Sequence, residues 1–341
     1  MKIAVDAMGG DFAPGVVIEG VLMALQELPG IQLILVGHKE KLSYYIEKAG
    51  LDHSSQIEIV HAEQVVEMGE PSTTSIRAKK KSSITVCADL VKTGAAAAIV
   101  SAGHTGAAVA ATKVRLRTLE GVDRPALATL MPAIGGKNIL TDVGANTDCE
   151  PINLAQFAVM GELYAKLTFG IERPRVGLLS VGGEDVKGNG LTKEAFKLLS
   201  EMPINFVGNV EGHDIFSKET CDVIVCDGFT GNSLLKSSEG LARATFHWMK
   251  EAFTKNPLRQ AGALLAKDAF LELKAISDSE EFGGAPLLGI GGVCIIGHGA
   301  STPKAVKNAI RLADQYLKNG VTDMIVKRIK ECGVAVNHKQ N

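Results

Sequence analysis

The stretches Asp142-Val143-Gly144-Ala145-Asn146 and Asp227-Gly228-Phe229-Thr230-Gly231-Asn232 each follow an apolar run, and each ends in an asparagine close to a glycine. In parallel α/β sheets, the loops at the carboxyl ends of the strands gather polar groups around a ligand. These two stretches therefore predict an α/β fold with a mainly parallel sheet and a binding site formed by its loops.

Apolar runs alternate with helical patterns along most of the chain, which predicts βαβ units. A turn at 283–289 and a strand at 293–296 precede a last helical region that Ser301 is predicted to cap. The other predicted strands are 2–7, 31–37, 57–61, 97–101, 138–142, 175–181, 204–210 and 222–226.

The 341 residues contain no internal repeat and no low-complexity linker, so we predict one α/β domain over 1–341. Beyond Gly231 the pattern changes to a helix through Trp248, a break at Asn256-Pro257 and a second, dense apolar helix to about Ala275. The segment 245–275 is predicted to be a helical projection from the sheet within this domain.

Composition and charge narrow the function classes. The chain is 46% hydrophobic and only 5% aromatic, which provides aliphatic residues for a large core. Its 36 Lys plus Arg and 38 Asp plus Glu give a net charge of -2. A dedicated nucleic-acid binder normally has a strong basic excess, so no nucleic acid is expected as a partner.

The six cysteines are scattered without a CxxC pair, which predicts free thiols and no metal site. Met1-Lys2-Ile3-Ala4-Val5 leads directly into Asp6, so no signal peptide is expected, and no apolar stretch has the length of a membrane span. These features predict a cytoplasmic protein.

The common cofactor motifs are missing. No G-x-G-x-x-G follows the first strand, and the glycines of 183–190 have P-loop spacing without the Gly-Lys-Ser/Thr ending. A G-x-S-x-G nucleophile motif is also missing. The sequence therefore gives no support for a dinucleotide, a nucleoside triphosphate or serine-hydrolase chemistry.

Five glycine-containing polar loops follow predicted strands, at 6–11, 101–106, 142–146, 182–190 and 227–232. Glycine lets the backbone approach a ligand, and helix N-termini suit an anion such as phosphate. Each loop alone fits an ordinary turn with a capping residue; the hypothesis depends on their joint occurrence. The predicted substrate-binding residues are Asp6, Gly9, Ser101, Gly103, His104, Thr105, Gly106, Asn146, Asp227, Thr230 and Gly231.

The ordered set DAMGGD, SAGxTGA, DVGAN, EDxKGN, CDGFTGN and GAxLLG with a following HG resembles the bacterial phosphate acyltransferase family. The resemblance implies transfer of a long-chain fatty acyl group from acyl carrier protein to inorganic phosphate, giving acyl phosphate for phospholipid synthesis. It also implies a homodimer without a cofactor or metal. The implied fold is a Rossmann-like three-layer sandwich related to the isocitrate dehydrogenase and phosphotransacetylase folds.

Lys187 and Asn232 match the positions regarded as catalytic in that family. An ammonium and an amide can position phosphate and stabilise charge on the thioester oxygen, although the sequence does not assign either role to either residue. Without the resemblance, Lys187 reads as a solvated loop lysine and Asn232 as a helix N-cap. His104 departs from the family, which usually has asparagine there, and only histidine titrates near neutrality.

A cysteine thiolate is the alternative acyl acceptor. Cys226 lies next to Asp227, and Cys149 follows the 142–146 stretch. Because Cys226 ends an apolar strand, we interpret it as an inert buried thiol. Direct attack by phosphate on the thioester is therefore favoured over an acyl-cysteine intermediate.

Two segments predict partners. Arg77, Lys79, Lys80 and Lys81 form a basic run suited to acidic acyl carrier protein, or else a solvated helix face. The apolar and basic stretch Pro257–Lys274 suits an anionic membrane surface, but burial in a dimer interface or in the core is slightly favoured. The resemblance implies peripheral association with the inner face of the membrane, where a glycerol-3-phosphate acyltransferase would take the product.

Three other functions remain open at this level. A short-chain phosphate acyltransferase that uses acyl-CoA would share the anion loops and the thioester chemistry. A dehydrogenase of the isocitrate type is an alternative at the level of the fold alone. A non-catalytic membrane scaffold would depend on Leu264 and Leu265 rather than on Lys187 and Asn232.

Overall fold

A computed structural model describes residues 1–51, 54–277 and 283–336. Within these residues, eleven strands form one sheet: β1 (Lys2–Asp6), β2 (Gln32–Gly37), β3 (Ile57–His61), β4 (Ala98–Ser101), β5 (Ala126–Ala133), β6 (Gly136–Thr141), β7 (Arg175–Leu179), β8 (Asn205–Val210), β9 (Val223–Val225), β10 (Ala285–Leu288) and β11 (Val293–Ile296).

The same residues form twelve α-helices: α1 (Gly15–Glu27), α2 (Lys39–Lys48), α3 (Ser72–Ala78), α4 (Ser83–Lys92), α5 (Thr105–Leu116), α6 (Pro151–Phe169), α7 (Gly190–Glu201), α8 (Gly228–Thr254), α9 (Pro257–Leu265), α10 (Lys267–Ser277), α11 (Pro303–Asn319) and α12 (Val321–Glu331). No helix in the described residues has the length and apolarity that crossing a bilayer requires.

The sheet has the strand order β3-β2-β1-β4-β11-β10-β5-β6-β9-β7-β8. Strands β3, β2, β1, β4 and β11 are parallel to one another, and so are β6, β9, β7 and β8. Antiparallel pairs join β11 to β10, β10 to β5 and β5 to β6. The two parallel sets therefore run in opposite directions, and β10 and β5 form the junction between them.

Helices cover both faces of the sheet, which confirms the predicted α/β sandwich. One core contains side chains of α1, α6, α11 and α12, and the other contains side chains of α3, α4 and α5. The strand Gln32–Gly37 supplies Leu33 and Leu35 to the first core and Ile34 and Val36 to the second. Continuous apolar runs of this kind are typical of parallel strands buried on both faces.

The structure has a strand at every position that the sequence predicted, and two strands that it did not predict. β5 is rich in alanine and contains Pro132, while the turn predicted at 283–289 contains β10. The dense apolar helix predicted as one piece is divided at Ala266 into α9 and α10. Thr302, not Ser301, caps α11, because its side chain accepts the Ala305 N–H.

The register of the central strands brings the two parallel sets together. Ser101, at the end of β4, lies level with Ala285 through β11. Leu127 pairs with Leu287, and its N–H donates to Asp142 just beyond β6. The carboxyl end of β4 and the residue just beyond β6 therefore lie level with Ala285 and Leu287 of β10. These two positions are separated by roughly 7 Å along the strand. Loops from both sets converge over β5 and β10.

Candidate active site

A groove of about 830 Å³ lies over the central strands, between the N-terminus of α5 and the first turns of α8. Leu127, Thr129 and Met131 of β5 line it. The lining also includes His104, Thr105 and Gly106 at the start of α5, Gly144 of the loop after β6, and Asn232 in the first turns of α8. The groove therefore combines polar groups from both parallel sets with an apolar channel. Its other apolar lining side chains include Leu130, Val143, Phe216, Leu235, Leu241 and Phe246.

Asp6 and Ser101 are buried beneath this groove rather than on its wall. The Ser101 hydroxyl donates to Asp6 Oδ2 at 2.8 Å, and the Gly103 N–H donates to Ser101 Oγ at 3.2 Å. Burial raises the pKa of Asp6, although hydrogen bonds from Ser83 and Ser101 oppose the shift. A Cβ on Gly9 would lie 2.7 Å from Asp6 Oδ2. These residues fix the shape of the loops, and their side chains are occupied by one another.

His104 is the N-cap of α5. Its Nδ1 accepts the Ala107 N–H at 3.3 Å. With Nδ1 as the acceptor, Nε2 is the ring nitrogen that can donate to a ligand. Asparagine, the usual residue of the resembled family, is also a strong N-cap. The histidine at this position therefore retains the capping role that an asparagine would have.

Asp142 organises the loop after β6. Burial raises the pKa of this carboxyl, and N–H bonds from Ala145, Asn146 and Leu127 oppose the shift. The Asn146 Nδ2 donates to Asp142 Oδ2 at 2.9 Å and to the Pro125 carbonyl at 2.7 Å. Because Asn146 is buried and its amide N–H groups donate to these two acceptors, it supports the loop and does not line the groove.

Asp227 is the N-cap of α8. Its two oxygens accept the Thr230 N–H at 2.9 Å and the Thr230 hydroxyl at 2.7 Å. Gly231 packs directly against the Asp142 carbonyl, with no room for a side chain. Asp227, Thr230 and Gly231 thus fix the start of α8.

Asn232 lies in α8, on the groove, and is exposed. The N-cap alternative for this residue is wrong, because Asp227 fills that position. Lys187 is also exposed but lies outside the groove lining, in the loop after β7. Since β7 pairs with β9, the strand that precedes α8, the Lys187 loop leaves the sheet beside Asn232's helix.

The predicted basic run is divided between free and paired charges. Lys79 is half-buried and pairs with Glu70. The hydrogen bond from Lys79 is the main reason that the pKa of Glu70 is lowered to about 2. Lys81 pairs with Glu63 at 2.8 Å but stays exposed. Arg77 and Lys80 are exposed. Three of the four side chains therefore present charge at the surface.

Both thiols proposed as alternative acyl acceptors have raised pKa values, which disfavour the reactive thiolate. Burial raises the pKa of Cys149 to about 11 and that of Cys226 well above its ordinary value. The Cys226 thiol is buried and donates to the Asp142 carbonyl at 3.5 Å. Neither cysteine has the electropositive surroundings of a reactive thiolate.

The sequence did not predict several of the residues that line the groove. The β5 side chains were not predicted because β5 itself was not predicted as a strand. Lys236 was not predicted because it lies one helical turn after Asn232, in a polar stretch without a recognisable motif. His298 lines the groove and belongs to the HG pair of the family resemblance, to which the sequence assigned no binding role. In the described part of the chain, no group of three or more His, Cys, Asp or Glu side chains is placed to hold a metal ion.

Known proteins resemble this chain over nearly its whole length. Residues 1–324 match the model of the family described as fatty acid synthesis protein. A phosphate acyltransferase of Nitratiruptor sp. is 51% identical over 332 residues, which cover 97% of this chain and 98% of the relative. A phosphate acyltransferase of Desulfitobacterium hafniense is 46% identical over 329 residues, with 96% and 98% covered.

Solved structures share the fold at low identity. A phosphotransacetylase from Streptococcus pyogenes superposes with a TM-score of 0.60 at 18% identity, over 93% of this chain and 94% of its own. A branched-chain phosphotransacylase from Enterococcus faecalis gives 0.56 at 16% identity, over 92% and 98%. At these identities the likeness shows the fold, which is the phosphotransacetylase-like fold that the resemblance implied.

Proposed function

The chain belongs to the fatty acid synthesis protein family, and we propose that it transfers a long-chain acyl group from acyl carrier protein to inorganic phosphate. Relatives that cover nearly the whole chain are named phosphate acyltransferases, which supports acyl transfer to phosphate. The product, an acyl phosphate, would serve phospholipid synthesis.

The observation that carries the proposal is the groove itself. Its polar end holds Asn232 and the N-terminus of α5, and an apolar channel of Met131, Phe216 and Phe246 adjoins it. An acetyl or propionyl group needs only a fraction of about 830 Å³, whereas a long acyl chain fills such a channel and gains roughly 0.8 kcal/mol for each buried methylene group. The groove therefore favours a long-chain donor over the short-chain acyl-CoA alternative.

The chemistry needs little beyond positioning. A phosphate oxygen attacks the thioester carbonyl carbon, and the carbon–sulfur bond breaks as the new carbon–oxygen bond is completed, so that the thiolate leaves with the electron pair. Donors held at the developing oxyanion lower the barrier. Lys187 and Asn232 are proposed to hold phosphate and the thioester oxygen between them. Neither the Cys149 nor the Cys226 thiol is needed as an acyl carrier.

The deciding assay supplies purified protein with long-chain acyl carrier protein thioester and inorganic phosphate. We expect acyl phosphate from the native protein and a loss of about 10²-fold or more in Lys187→Ala. Lys193→Ala, an exposed lysine of the neighbouring helix α7, is the matched control and keeps the native rate. Equal rates with short-chain acyl-CoA would favour the alternative donor. Full function in Lys187→Ala and Asn232→Ala would favour a scaffold.

The exposed basic residues Arg77, Lys80 and Lys81 are proposed to dock acyl carrier protein. Charge reversal at Arg77 and Lys80 should raise KM for the carrier-linked donor, more so at low salt, and leave KM for acyl-CoA unchanged. Lys327→Glu is a suitable control, because α12 packs in the core on the other face of the sheet. Equal effects on both donors would reject the docking role.

Helices α8 to α10 are proposed to mediate homodimerisation and contact with an anionic membrane. Trp248 is 60% exposed, Leu264 74% and Leu265 90%, which is more apolar surface than an isolated projection normally leaves in water. We assign Trp248 to the dimer and the α9 leucines to the membrane. Leu264→Ser with Leu265→Ser should abolish sedimentation with anionic vesicles and preserve the dimer in sedimentation velocity. A glycerol-3-phosphate acyltransferase at that surface would take the product.

A further inference from the structure

Asp142 is a fully buried carboxylate between β6 and the groove. Its Oδ1 accepts backbone N–H bonds from Leu127, Gly144 and Ala145 at 3.0, 3.1 and 3.0 Å. Its Oδ2 accepts the backbone and side-chain N–H groups of Asn146 at 2.7 and 2.9 Å. All five partners are donors, so they are satisfied by an ionised carboxylate that accepts through both oxygens.

The loop held by Asp142 is the surface on which α8 begins. The Gly228 N–H donates to the Asn146 carbonyl at 2.7 Å, and Gly231 packs on the Asp142 carbonyl. The Asn232 side chain lies 3.7 Å from the point that a Cβ on Gly144 would occupy. The place of the Asn232 amide on the groove is therefore set by the conformation that Asp142 imposes.

Two carboxylates stand at this helix N-terminus. Asp227 is its cap, and a Cβ on Gly228 would lie 2.8 Å from Asp142 Oδ2. A helix N-terminus carries only about half a positive charge, so the start of α8 is electrostatically unfavourable for phosphate. The cap of α5, at the other side of the groove, is the imidazole of His104 and not a carboxylate.

We propose that Asp142 is a positioning residue for Asn232, and that the charges of Asp142 and Asp227 direct the Asn232 amide to the uncharged thioester carbonyl and not to phosphate. The inference rests on the proposed acyl transfer. It separates the two roles that the sequence left open, because it leaves phosphate to Lys187.

A double-mutant cycle tests the positioning role. Asn232→Ala should lower kcat about 10²-fold with KM for phosphate within twofold of the native value. Asp142→Asn, which sets an amide N–H against the Asn146 donors, should lower kcat with the same unchanged KM. The double variant should be no slower than the slower single variant, since Asp142 acts through Asn232. Multiplied losses would show a merely structural role and overturn the proposal.

Asp227→Asn tests the charge separately and does not depend on the folding of Asp142→Asn. Asparagine caps a helix as well as aspartate does, so this change removes one negative charge and retains the cap. KM for phosphate should fall at low salt. An unchanged or higher KM, or a tenfold rise of that KM in Asn232→Ala, would overturn the assignment to the thioester. Failure of the native protein to make acyl phosphate would instead remove the proposed function.

Discussion

Gly231 and Asp142 are in backbone contact: a Cβ built on Gly231 would collide with the Asp142 carbonyl oxygen, and the Cys226 sulfur would be 2.9 Å away. The start of α8 therefore sits on the loop after β6 with no space for a methyl group. The groove and its asparagine depend on this contact between two loops that are distant in sequence.

Gly231→Ala should destabilise the protein by about 1–3 kcal/mol or displace α8, because neither backbone can yield without breaking the Asp142 network. The acyl-transfer rate should fall with it, since Asn232 follows directly. Chemical denaturation and the acyl-phosphate assay measure the two effects.

Gly240→Ala is the matched control in the same helix, where nothing beyond the adjoining helix backbone lies within 4 Å of the added Cβ. Alanine is a better helix former than glycine by about 0.5–1 kcal/mol, so this variant should be slightly more stable and fully active. Equal destabilisation by both substitutions would mean that the Gly231 contact has no special importance.

His104→Asn should keep the cap of α5 and hence stability near the native value, whereas His104→Leu should lose about 1 kcal/mol. The Ala107 N–H keeps a side-chain acceptor in His104→Asn and loses it in His104→Leu. Urea unfolding measures the two differences in stability. An equal loss in both variants would contradict the capping role.

Cys149→Ala and Cys226→Ala should both form acyl phosphate at rates within a few-fold of the native enzyme. Partial burial raises the pKa of Cys149 to about 11, and a protonated thiol is a poor nucleophile. Mass spectrometry should find no acylated cysteine during turnover. An acylated thiol that decays on addition of phosphate would instead establish the covalent route.

Asp222 provides a test of stability against pH. Burial acts to raise the pKa of this carboxyl, but hydrogen bonds from Arg175 and Lys218 outweigh it and lower the pKa from 3.8 to about 2. Because the pKa is lower in the folded state, the stabilisation is complete above about pH 4 and is lost as the pH falls toward 2.

The free energy of unfolding of Asp222→Asn should thus lie about 1–3 kcal/mol below that of the native protein at pH 7. The two curves should converge as the pH falls from 4 toward 2. A difference that stays constant with pH would show that the ion pairs contribute nothing through the charge of Asp222. Thermal or urea unfolding across this range measures the difference.

The parallel halves of the sheet were predictable because their strands, such as Gln32–Gly37, are continuous apolar runs bounded by turn residues. The junction was not predictable. β5 has the sequence ALATLMPA, with few β-branched residues and a proline, and only pairing with β10 and β6 makes it a strand.

The loops of the site were predicted for the same reason as the strands, since polar groups after parallel strands follow the fold. The sequence did not predict which of them face the groove. Asp6 and Asn146 have the composition of binding residues but are buried and occupied by their neighbours. Only the pairing of β10 with β5 decides that His104 and Asn232 border the same groove.

The insertion of β11 between β4 and β10 has a consequence for how the molecule matures. Ile99 of β4 lies beside Cys294, and Leu127 of β5 beside Leu287, so the groove floor is closed by pairings between the first half of the chain and its last part. Such pairings raise the contact order and slow folding. During synthesis on the ribosome, the edges of the amino-terminal strands would stay unpaired and accessible to chaperones until residues 285–296 leave the exit tunnel.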